Sequence, residues 1–80
     1  MSEASIPMEL LRVQKEGTEL TRAETAVLRR IALGDTQVEA ARRLGKSLET
    51  VRKQTKLARA RLRARTNAEA VAIAISLDLI

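Results

Sequence analysis

The chain has 80 residues, 15 Lys and Arg against 10 Asp and Glu, 45% hydrophobic residues, and no aromatic residue, cysteine or histidine. That length fits one small domain with a modest core. The missing aromatics exclude base-stacking recognition of RNA and single strands. The missing thiol and imidazole groups exclude their metal sites, disulfides and the usual nucleophile–base pairs, so neither a cofactor nor enzymatic activity is expected.

In chain order, the helix punctuation is clear. The first predicted helix runs from about Pro7 to Glu16, with proline in the first turn and an apolar side from Ile6, Leu10 and Val13 with Met8 and Leu11. The second covers about Arg22–Leu33, with Val27, Leu28, Ile31 and Ala32 inward. The third spans about Gln37–Leu44, with Val38, Ala41 and Leu44 inward. The fourth is expected over about Leu48–Ala64 and the fifth over about Asn67–Leu77. Thr21-x-x-Glu24, Thr36-x-x-Glu39 and Thr66-x-x-Glu69 fit the capping box, and Ser47 offers an N-cap before Thr50. Gly17, Gly34 and Gly45 stand where a left-handed helix end is wanted. Sustained period-two alternation is absent, so the expected class is all-α: a small bundle at 18–80 with a helical extension at 1–17.

The third and fourth helices, joined at Gly45, have the layout of a helix-turn-helix, which places its second helix in the DNA major groove. Residues 42–65 hold ten of the fifteen basic residues and a single acid, Glu49, which points to a polyanion partner. On a helical wheel, Leu48, Thr55, Ala58 and Leu62 fall within roughly 60° of Val51, a stripe suited to the core. Arg52, Lys56, Arg59 and Arg63 occupy the neighbouring flank, with Glu49 and Lys53 beyond them. Position along the helix divides the roles. Glu49, Arg52, Lys53 and Lys56 are the candidates for base edges: the cations for guanine O6 and N7, Glu49 for cytosine N4. An acid in the first helical turn also suits the helix dipole, so Glu49 has a second reading. Candidates for phosphate are Thr36, Gln37 and Val38 at the start of the preceding helix, Lys46 and Thr50 at the turn, and Arg59 and Arg63 further along. Arg61 and Arg65 read as solvated surface.

The fifth helix is apolar on more than one side. Ala70, Ile73, Ala74 and Leu77 make a core stripe, and Val71, Ala72 and Ile75, with Leu79 beyond, make a second. The second stripe either forms an isologous homodimer or is covered by the N-terminal helix.

Leu20–Ile80 resembles the LuxR-type (GerE-type) DNA-binding domain. The resemblance is carried by Leu20-Thr21, Glu24, Val27-Leu28, Ile31-Ala32, Gly34, Glu39, Ala41, Arg42-Arg43-Leu44, Ser47, Thr50-Val51, Leu62, Ala70-Val71, Ala74 and Leu79-Ile80. It implies a four-helix, stand-alone output module that binds double-stranded DNA in transcriptional control. It also implies that the C-terminal helix pairs two copies, and that Arg52, Lys53 and Lys56 occupy groove-reading positions. The chain departs from that pattern at Ala23, Ala26, Ala40, Gln54, Asn67 and Asp78. Thr50–Arg63 is also similar to the promoter-reading helix of sigma-factor region four. An RNA-polymerase-associated factor and a protein-binding antagonist of another regulator are thus the alternative functions. No leader sequence and no apolar stretch of about 18 residues is seen, so a cytoplasmic, nucleoid-associated protein is the expectation.

Overall fold

The computed structural model describes residues 19–80; the helix expected at Pro7–Glu16 and the turn at Gly17 lie outside them. The described residues form four helices and no strand: α1 (Arg22–Ala32), α2 (Gln37–Leu44), α3 (Leu48–Leu62) and α4 (Asn67–Ser76).

Each helix begins at a hydroxyl side chain. Thr21 and Thr36 make complete capping boxes, with Glu24 Oε1 accepting from Thr21 N–H at 3.0 Å and Glu39 Oε1 from Thr36 N–H at 2.8 Å. Ser47 accepts from Thr50 N–H. The third box differs from expectation. Thr66 accepts from Glu69 N–H, but the Glu69 carboxylate reaches one residue further back, to Arg65 N–H.

All four helices end in the same pair of backbone bonds around a residue of positive φ. At α2, Gly45 N–H donates to Arg42 O and Lys46 N–H to Ala41 O. Gly34, Arg63 and Asp78 sit at the equivalent points, with φ of 102°, 55° and 61°. Glycine adopts that conformation freely and arginine does not, so Arg63 holds a strained end. Consequently α3 stops at Leu62, not Ala64, and Arg63 leaves the helical face assigned to it from sequence.

Packing divides into two apolar clusters. Val27 of α1, Ala40 and Ala41 of α2 and Val51 of α3 form one. Leu28 of α1, Ala58 and Leu62 of α3 and Ala70 and Ala74 of α4 form the other. Helices α2 and α4 do not touch, so α1 and α3 make a two-helix spine with one short helix at each end. The adjacent pair Val27–Leu28 serves both clusters. Five of the nine buried core residues are alanines, which lets the helices approach closely. On α2 Ala40 and Ala41 are buried, whereas Val38, expected inward, is 53% exposed; Val38 and Ala40 lie about 200° apart on the helix, so the face that buries Ala40 turns Val38 outward.

Arg61 is not idle surface. Its Nε lies 2.9 Å from Glu24 Oε1 in an ion pair, which ties the end of the spine helix α3 to the start of α1. Glu24 is buried and already shares that oxygen with Thr21 N–H. Removing Arg61 leaves a buried carboxylate with less compensation. Arg61→Ala is expected to cost about 1–2 kcal/mol, and Arg65→Ala less than about 0.5 kcal/mol. Urea unfolding of the two variants checks the difference.

Candidate nucleic-acid interface

The second helix of the motif, α3, is fixed on one side and open on the other. Val51, Thr55, Ala58 and Leu62 are buried. Thr55 carries the one hydroxyl in that stripe, and it donates to Arg52 O at 2.9 Å, so its burial leaves nothing unpaired. On the outward flank Glu49, Arg52, Lys53 and Lys56 are all exposed, and none is in an ion pair with a described residue. The apolar stripe therefore sets the direction in which these four side chains point.

The residues assigned to phosphate are arranged less simply. Thr36 and Lys46 flank α2, and Thr50 lies in the first turn of α3. The capping box consumes the Thr36 N–H and places the Glu39 carboxylate at the same helix end. The N–H groups of Gln37 and Val38 have no partner among the described residues. Lys46 is half-buried and its Nζ donates to Gln54 Oε1 at 3.2 Å. Arg59 is half-buried and donates through Nη1 to Asn67 Oδ1, binding α3 to the first turn of α4. Arg63 stands beyond the helix end, exposed.

These cross-ties were absent from the sequence reading. Lys46–Gln54 and Arg59–Asn67 each span eight residues and pass through a turn or a helix end, so no helical period announces them. Asp35 was also missed. It accepts from Arg30 Nε at 2.7 Å and lies 3.3 Å from Arg43 Nε, which braces the α1–α2 loop against both helices.

On α4, Ala70 and Ala74 are buried, as the core stripe requires. The second stripe is split. Val71 and Leu79 pack half-buried against the chain's own core, while Ala72 is exposed and Ile75 is 57% exposed. With Arg29, Ala32, Leu33 and Ile80, Ile75 lines a shallow apolar groove between α1 and α4. Among the described residues no helix is long and apolar enough to cross a membrane.

Comparison with known families agrees with this geometry. The chain belongs to the Sigma-70, region 4 family, whose model matches residues 18–64. This is a DNA-binding helix-turn-helix family, linked to transcription. The match spans α1, α2 and α3 and ends before α4. It names sigma region four and not the LuxR-type domain. No curated protein and no solved structure matches the chain.

The Asp35 brace has a pH signature. The hydrogen bond from Arg30 is the largest influence on its carboxyl and holds it below the ordinary value of 3.8; burial pushes the other way, and the charges of Arg30 and Arg43 add to the lowering. A carboxyl depressed on folding adds stability above the unfolded value and loses it as pH falls through the folded one. Asp35→Asn should therefore lower the melting temperature at pH 7. The gap from wild type should close as pH falls from about 4 toward 2. Melting curves across that range check the sign.

Proposed function

We propose that the chain is a sequence-specific, double-stranded DNA-binding regulator of transcription that acts through α3, without enzymatic activity and without a cofactor. One observation carries this reading: a helix whose buried stripe presents an unpaired cationic flank to solvent. In it Arg52, Lys53 and Lys56 address guanine edges, and Glu49 addresses cytosine N4. The Gln37 and Val38 N–H groups, the Thr36 and Thr50 hydroxyls, and Lys46, Arg59 and Arg63 hold the backbone. Lys46 and Arg59 keep free donor hydrogens beside their internal bonds, since an ammonium has three and a guanidinium five. The site of action is the cytoplasmic nucleoid.

The LuxR-type, homodimeric form of this reading is supported by α4, which lies beyond the matched family segment yet completes the bundle. Exposed Ala72 and Ile75 supply the centre of the proposed contact, and Val71 and Leu79 its half-buried edge. Leu33, 72% exposed, extends the apolar surface across the groove.

Selection from random duplex DNA should enrich a two-fold symmetric site with half-sites about one helical turn apart. Arg52→Ala should cost about 1–3 kcal/mol and relax preference at one base pair, while Arg59→Ala weakens all sequences alike. Equal losses on specific and random DNA from both variants would remove Arg52 from the reading residues. Ile75→Glu should abolish the symmetry of the enriched site.

The family match favours a second reading, association with RNA polymerase. Capture of polymerase from a cell extract by the immobilised chain, together with monomeric sedimentation, is its expected signature. A dimer that captures no polymerase excludes it.

A further inference from the structure

Gln54 stands on the side of α3 that faces the turn, one helical turn after Thr50, and both are half-buried. Its carboxamide oxygen accepts from the Lys46 ammonium at 3.2 Å. The Thr50 hydroxyl oxygen likewise accepts from Ser47 Oγ at 2.8 Å. Each of these groups keeps hydrogens to donate. Gln54 retains two N–H donors, Lys46 two ammonium hydrogens and Thr50 its hydroxyl hydrogen. No described hydrogen bond uses the Thr50 hydroxyl or the Gln54 amide hydrogens as donors. Three groups with free donor hydrogens thus meet at the junction of the turn and the recognition helix.

The geometry points to a phosphate clamp of Lys46, Thr50 and Gln54 that grips one backbone phosphate of the duplex, with Gln54 as a direct ligand. This rests on the DNA-binding reading above and specifies one of its contacts. A glutamine that reads adenine needs both its oxygen and its nitrogen, for N6–H and N7. Here the oxygen is turned toward Lys46 inside the protein, which leaves the amide hydrogens to face a ligand, and a phosphate, which only accepts, fits them beside the Lys46 charge. The Lys46–Gln54 bond also orients the amide before DNA arrives and so reduces the ordering cost of the contact.

Three variants separate this from a purely internal role for Gln54: Lys46→Ala, Gln54→Leu and Gln54→Glu, each checked for an unchanged helical spectrum. Binding is measured on the selected duplex and on random duplexes across a salt range. Lys46→Ala should flatten the plot of log affinity against log salt by about 0.9, the loss of one phosphate contact. Gln54→Leu should weaken binding about tenfold on every duplex, the loss of a hydrogen bond to a charged group. Gln54→Glu keeps the tie to Lys46 and turns a donor into a negative charge, so it should bind more weakly than Gln54→Leu. If Gln54 merely props Lys46, the glutamate variant rescues binding instead. Wild-type binding accompanied by that rescue overturns the clamp alone. So does a Gln54→Leu loss confined to duplexes with adenine at one position, which assigns Gln54 to a base. A wild-type chain that binds no duplex at low salt overturns both the clamp and the reading beneath it.

Discussion

The buried stripe Val51–Thr55–Ala58–Leu62 is the constraint on which the site depends. It is held at its two ends by different partners, Val51 by α2 and Ala58 with Leu62 by α4, while α1 backs both. A helix gripped at one end only can roll about its axis, and a roll of one residue's spacing, about 100°, would carry the cations from solvent toward the domain. Two grips at opposite ends remove that freedom. The stripe also explains why a helix-turn-helix alone is insufficient here. Helix α2 secures the N-terminal end of α3, and the rest needs α4, which begins after the matched family segment.

The core that does this holding is short of volume. It contains no aromatic residue, and its largest fully buried side chains are Leu28, Val27, Val51 and Thr55. Alanine contributes little transfer free energy and gives, in exchange, close contact between backbones. Polar cross-ties then matter more than they would in a larger domain. Glu24–Arg61 joins the start of α1 to the last turn of α3. Arg59–Asn67 joins the same turn to α4, and the Asp35 brace joins α1 to α2. Each such pair in isolation is of modest worth at the surface. Together they fix the angles between helices where small apolar contacts cannot.

Most of the architecture was legible in the sequence because it rests on local signals. Hydroxyl N-caps, glycine helix ends and the stripe on α3 are all properties of neighbouring residues, and they located the four described helices to within two residues at either end. The errors share a cause. Arg63 ends α3 in a conformation that arginine disfavours, so the glycine that would have announced the stop is missing. Val38 outranks Ala40 on hydropathy, yet the two lie about 200° apart on α2 and the buried face is the one that holds Ala40 and Ala41. Arg61 read as surface because its partner lies 37 positions earlier, on another helix. The same holds for the site. The outward set Glu49, Arg52, Lys53 and Lys56 followed from one helical wheel, while the ties of Lys46 and Arg59 depended on where turns and helix ends bring distant residues together.

If the proposed reading holds, those ties bear on how such a small surface would discriminate between duplexes. An arginine or lysine free in solvent finds phosphate on any sequence, which favours affinity without selectivity. The proposed site contains two contrasting sets of cations. Among the described residues Arg52, Lys53 and Lys56 are in no ion pair and project from the N-terminal two-thirds of α3, whereas Lys46 and Arg59 are tethered, one at each end of the site. In the proposed complex, tethered cations would approach the backbone at fixed points and so fix the register of the helix in the groove. Register would convert three flexible cations into readers of particular base pairs, because each must then meet a predetermined edge. Selectivity in the proposed complex would be supplied as much by the internal hydrogen bonds of Gln54 and Asn67 as by the groups that touch the bases.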